Sequence, residues 1–256
     1  MPRRLATSVG LASTLALTFV TADSLEPGQT ANEATPRARE ASEAPELRAS
    51  GWVTDQSAAI ALALAKPADW PEHIQRVRES GDSAVTELID ALHRLPGTDG
   101  SQAIVATLGA LGGEEARREL RSRLSDPDVR IATEAGLALA HCGEESDRPL
   151  LVDTALDPSR PVRARTAALV GAILIRPTAE LADLAEGIWL AGTDRRIDLR
   201  ERYQLPDQSR WAFERTMLIE LARSLEPETD WDLDPDASWS QLEAQFKPFR
   251  MLLERR

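Results

Sequence analysis

Three histidines and one cysteine are the residues in this chain best suited to metal or nucleophilic chemistry. His73, His93 and His141 fall in three separate helical stretches, and none sits in a His-x-x-x-His or Glu-x-x-His spacing. A zinc site needs three or four converging ligands, so each histidine reads as a surface or helix-end residue. Cys142 follows His141 directly and precedes Gly143. A cysteine nucleophile needs a base within reach, but adjacent helical residues point about 100° apart. Cys142 therefore reads as a small packing residue. Asp230, Asp232, Asp234 and Asp236 alternate as in a calcium loop, yet an EF-hand started at Asp230 would need Gly at its sixth position and Glu at its twelfth. Those positions hold Pro235 and Gln241. The run reads as a solvated loop, with Asp236 or Ser238 capping the helix that follows; a looser calcium site is the alternative. Arg117, Arg118, Arg121 and Arg123 crowd one helix between Glu114, Glu115 and Glu119. Pairing at i,i+4 on a solvated face accounts for them; a patch for an acidic partner, centred on Arg117 and Arg121, is the sharper alternative. No catalytic, cofactor or metal site is expected.

The elements that carry these residues are helices. Val85, Leu88, Ile89 and Leu92 recur at i, i+3, i+4, i+7, and Ile104, Leu108 and Leu111 continue the pattern, which places them on one helix face. Gly112-Gly113 closes that pair. Ala116, Leu120 and Leu124 open a second pair, broken by Asp126-Pro127 and returned by Val129, Ala132, Gly136 and Leu139. Leu150, Leu151 and Ala155 open a third, broken by Asp157-Pro158 and returned by Val162, Thr166, Leu169 and Ile173. Strand-like alternation is absent. The Asp-Pro pairs are 31 residues apart and the Val-Arg pairs 33. An internal repeat at that period implies a stacked solenoid. The return helices carry Ala132, Ala135, Gly136, Ala167, Ala168 and Gly171, small residues that suit the inner, packed member of each layer.

The motif Asp126-Pro127-Asp128-Val129-Arg130, with its second copy at Asp157-Pro158 and Val162-Arg163, resembles the short bacterial HEAT-like repeats also found in phycobilisome lyases. The resemblance is clear over about residues 82–175, where the unit at 82–112 is degenerate. It implies an all-α fold: a right-handed α-solenoid of antiparallel helix pairs with helical caps. It makes Asp126, Pro127, Val129, Arg130, Asp157, Pro158, Val162 and Arg163 structural joints, with Asp126 or Asp128 as the helix cap and an Asp–Arg ladder between units. Tetratricopeptide and ankyrin signatures are missing. Since the related lyases attach bilins, a tetrapyrrole lyase or chaperone is a second reading, and a structural part of an envelope assembly a third.

The flanks complete the organisation. Arg3-Arg4, an apolar run from Leu5 to Val20 and the small residues Val20-Thr21-Ala22 read as a signal peptide over 1–22. Residues 23–50, rich in Glu, Ala, Pro and Ser, read as an acidic disordered linker. Residues 51–81 form an N-terminal cap, with Asp55 and Asp69 as helix starts, and 176–256 a degenerate repeat and C-terminal cap. Trp239 and Phe246 belong to that cap; an exposed docking face is the alternative. Removing residues 1–22 takes away two arginines and no acid, moving the net charge from −12 to −14. So acidic a chain disfavours nucleic acid and anionic lipid as partners. One cysteine allows no internal disulfide, and no segment after the leader could span a membrane. The expectation is a non-catalytic interaction module, exported to the periplasm or the cell surface, that binds a protein.

Overall fold

The computed structural model describes residues 58–80, 83–192, 197–206 and 211–256. The expected signal peptide, the linker and Asp55 lie outside them. Every regular element among the described residues is helical. After a short helix α1 (Ala58–Leu64) and a 3-10 turn (Pro67–Asp69), α2 spans Trp70–Glu79. Then come α3 (Ala84–Arg94), α4 (Gly100–Leu111), α5 (Gly113–Arg123), α6 (Val129–Cys142), α7 (Arg148–Leu156) and α8 (Val162–Ile175). The C-terminal part holds α9 (Ala179–Trp189), α10 (Ile197–Arg202), α11 (Ala212–Leu225) and α12 (Trp239–Arg255).

Local chemistry sets the ends. Asp128 caps α6, its carboxylate accepting from the Arg130 N–H at 2.9 Å, and Gly143 ends that helix. Thr178 caps α9 by accepting from the Leu181 N–H. At α12 the Ser238 N–H donates to the Gln241 side chain at 3.1 Å, one arm of a capping box. Helix α5 begins with Glu114 and Glu115 and finishes with Arg121 and Arg123, each charge placed favourably on the helix dipole.

The helices pair as α3/α4, α5/α6, α7/α8 and α9/α11. The second members form one continuous layer, α4 on α6, α6 on α8, α8 on α11. That layer is the core: the runs Ile131–Leu139 of α6 and Ala164–Ile173 of α8 are buried on all sides. Such close stacking needs small side chains. A Cβ added at Gly136 would lie 2.9 Å from the Cβ of Ala167 and from the backbone N of Ala168, and one at Gly109 would lie 2.6 Å from the Cβ of Ala138. Backbone cannot yield as a flexible side-chain end can. Gly136→Val is therefore expected to cost about 2 kcal/mol by overpacking α6 against α8, measured by urea unfolding.

The fourth pair repeats the third more closely than its spacing suggests. Helices α6, α8 and α11 are each 14 residues long. Their fifth residues are Thr133, Thr166 and Thr216, and each hydroxyl donates to the carbonyl four residues back at 2.6, 2.9 and 2.7 Å. The fourth residues of α8 and α11 are Arg165 and Arg215, and both reach back to the end of the preceding outer helix. Arg165 Nε donates to the Ala155 carbonyl at 3.0 Å, and Arg215 Nε to that of Trp189 at 2.9 Å. The ends of the four inner helices, Leu111, Cys142, Ile175 and Leu225, are spaced by 31, 33 and 50 residues. The last interval is lengthened by the connection that carries α10.

Each end pair of the stack carries a further packed helix. At the N-terminal end α1 packs on α3 and α4, and the Trp70 indole donates to the Ala65 carbonyl at 3.1 Å. At the other end α12 packs on α9, where the Trp189 indole, fully buried, donates to the Leu242 carbonyl at 2.7 Å. Phe246 is 2% exposed, inside an aromatic cluster with Trp189 and Phe249. It is part of the core and offers no docking face. The side chain of Trp239 lies outside the described residues.

Candidate interaction surface

The repeat motif turns the chain in the same way twice. Asp126 accepts from the Asp128 N–H and Asp157 from the Ser159 N–H, both at 2.9 Å. Each carboxylate thus fixes the turn that its neighbouring proline begins. Asp126 does not cap α6; Asp128 does. In the second copy, two residues longer, Pro161 occupies the cap position.

The expected Asp–Arg ladder through Arg130 and Arg163 takes another form. Arg130 Nη2 pairs with Asp128 of its own turn at 2.9 Å. Arg163 lies 4.0 Å above the ring of Phe213, the second residue of α11, in a cation–π contact between units. The arginine that joins the two motif copies is Arg160, whose Nη1 donates to the Leu124 carbonyl at 3.0 Å and Nη2 to Ser125 Oγ at 2.9 Å. It became available because the second copy has two more residues before its helix.

Arg117 and Arg121 carry the remaining ladder. Arg117 is 8% exposed. Its Nη1 lies 2.5 Å from Glu144, and its Nη2 donates to Glu114 at 2.7 Å. Arg121 donates to Glu114 and to the fully buried carboxylate of Asp147, each at 2.6 Å. Asp147 also accepts from the Glu144 N–H at 2.8 Å. These side chains bind α5 to the start of α7, so the charge that the alternative reading offered to an acidic partner is spent between units. Only Arg118 of that group is exposed. Asp147→Asn keeps the shape and removes the charge. It is expected to cost about 2 kcal/mol, the scale of a charge-assisted hydrogen bond, read from urea unfolding in low salt.

The groups that could do chemistry are held apart. Burial pushes the Cys142 thiol up to about 11, against the pull of Arg117, so it stays protonated at neutral pH. Burial also holds the His141 imidazole below its usual range. Among the described residues no group of three or more His, Cys, Asp or Glu is placed to hold a metal ion, the Asp230–Asp236 run included. No helix among them is long and apolar enough to cross a membrane.

Residues 85–170 match the family model described as HEAT repeats. This stretch is built of HEAT-like repeats. The match takes in α3 to most of α8, and the α9/α11 pair extends the same stack beyond it. No curated protein and no solved structure matches the chain. HEAT repeats commonly mediate protein–protein contact and scaffolding, and the family is generally non-catalytic. Sequence reading missed three features of the HEAT-like stack: the bridging Arg160, the carbonyl-binding Arg165 and Arg215, and the buried acid Glu134. The Arg-Thr pair at 165–166, recurring at 215–216, is the signal that could have revealed the second of these.

Proposed function

We propose that this HEAT-like protein is an exported, non-catalytic scaffold that holds a protein partner against one face of its helical stack in the periplasm or at the cell surface. The observation that carries the reading is the continuous layer α4–α6–α8–α11, with a further helix packed on each end pair of the stack, α1 on α3 and α4 and α12 on α9. A stack built on such a layer presents a rigid, extended outer surface to a partner. The leader-like pattern of residues 1–22 supports export.

Two measurements test this. N-terminal sequencing of the protein from a cell fraction should begin near Asp23; retention of residues 1–22 in cytosolic protein overturns export. Crosslinking of the mature chain in envelope extract, followed by peptide mapping, should give one stoichiometric protein partner with crosslinks on a single face. A protein that purifies with bilin absorbance and no partner overturns the scaffold reading in favour of tetrapyrrole handling.

A further inference from the structure

The connection from α11 to α12 folds back over α12 and leaves a groove of about 630 Å³ between them. Its floor is apolar. Leu252 lies at the bottom, 5% exposed, and Met251 stands at the edge with 44% of its surface in solvent. Trp231 forms one side and is held in place, its indole donating to the Glu226 carbonyl at 3.2 Å and its ring meeting Phe249 edge-on at 6.0 Å. Pro248 lies inside α12. A proline has no N–H, so the Ala244 carbonyl one turn earlier lacks its usual helical donor. Ala244 and Pro248 both line the groove.

The charge around this floor is lopsided. Glu226, Glu228, Asp230, Asp232, Asp234 and Asp236 place six carboxylates in 11 residues. Among the described residues none of them has a cation within 4.0 Å. Glu226, Asp230 and Asp232 line the groove on the loop side, and Lys247 and Arg255 on the α12 side. Apart from Asp236, on which Arg215 acts, the loop carboxylates offer negative charge to cations from outside, and the chain as a whole, at −12, draws cations toward itself.

We propose that this groove docks a short extended segment of a partner protein, one bulky apolar side chain flanked on one side by lysine or arginine. The proposal rests on the partner-binding reading above and specifies its contact. The apolar side chain seats on Leu252 and Met251 beside Trp231. The basic side chain lies against Asp230 and Asp232, and the Ala244 carbonyl accepts a donor from the segment. Lys247 and Arg255 repel a segment that is basic throughout, so they set its direction.

The test uses the full chain and a displayed library of random dodecamers; the dominant peptide is then synthesised and its affinity measured by fluorescence polarisation. Peptides with an apolar residue next to a basic one should enrich. The double variant Asp230→Asn/Asp232→Asn and the single variant Met251→Ser should each weaken binding about tenfold, while Lys247→Glu should tighten it several-fold. All four positions are exposed, so the fold is not at stake. Arg94→Glu, on α3 at the other end of the stack, should change nothing. The groove is overturned if no peptide of this pattern enriches, if the loop variants bind as wild type, or if Arg94→Glu tightens binding as much as Lys247→Glu, which would reduce the effect to net charge. The groove variants are also carried through the envelope crosslinking. A partner that they retain overturns the groove and leaves the scaffold reading standing; a missing partner with intact peptide binding does the reverse.

Discussion

Glu134→Met is expected to stabilise the protein by about 3 kcal/mol at pH 7. Glu134 is the sixth residue of α6 and is 2% exposed, and one of its carboxyl oxygens has no hydrogen-bond partner. Burial alone raises its pKa from 4.5 to about 8. The folded state thus holds a proton that the unfolded chain releases above about pH 4.5. Its contribution is fully present below that pH and is lost as pH rises toward 8; above 8 the loss levels off. At 1.36 kcal/mol per unit, the interval from 4.5 to 7 gives about 3 kcal/mol. The replacement is not arbitrary: the sixth residue of α11 is Met217 and that of α8 is Ala167, both buried. Urea unfolding at pH 5 and pH 9 should show the gap between variant and wild type widening by about 4 kcal/mol. An unchanged gap would mean that the acid finds water or a cation when ionised.

The second large effect is expected at the C-terminal end of the stack. Phe249→Ala should cost about 4 kcal/mol, in the range for emptying a buried phenylalanine site. Phe249 is fully buried and meets Phe246 edge-on at 5.4 Å and Trp231 at 6.0 Å. The same ring supports the cap over Trp189 and one side of the docking groove. Hydrogen exchange should therefore show protection lost first in α12 and α9, with α4 and α6 unchanged. If protection falls evenly along the chain, α12 is not a cap but part of a single folding unit. Arg250 offers a check on the same contact, since it ties α12 to α9 through Asp183 at 2.8 Å and through Glu186.

Much of the fold is legible in the order of residues alone. The two Asp-Pro…Val-Arg copies and the apolar spacings place α5 to α8, because a turn that needs Asp and Pro and a helix that needs one apolar face leave local marks. The helix ends are legible for the same reason, as at Asp128 and Ser238. Contacts between units are not. Which arginine meets which carboxylate depends on how helices align in space, so Arg160 and the Arg117–Arg121–Asp147 cluster take the role expected of Arg130 and Arg163. The fourth unit is hidden by its 50-residue interval, although Arg215-Thr216 repeats Arg165-Thr166. Glu134 is invisible because an acid in a helix reads as a surface residue until its neighbours are known. The candidate surface fares likewise: Phe246 turns inward, and the groove beside it needs the loop and α12 together.

Arg165 and Arg215 have a mechanical consequence. Arg165 also donates to the Tyr203 carbonyl at 2.8 Å, and Arg215 to those of Ala191 and Pro235 at 2.7 and 2.9 Å. Arg165 is buried and Arg215 half-buried, with burial lowering the pKa of each. Arg165 ties α8 to the connection that carries α10, and Arg215 ties α11 to the end of α9 and to the loop before α12. In an array where neighbours touch only through side-chain packing, pulling on one end peels units off singly, as a row of small force peaks. Here Arg165 fastens α8 to the connection that follows α10, and Arg215 fastens α11 to both α9 and the loop before α12, so that end should yield in one larger step, and a load taken at α12 is shared with α9 and α11.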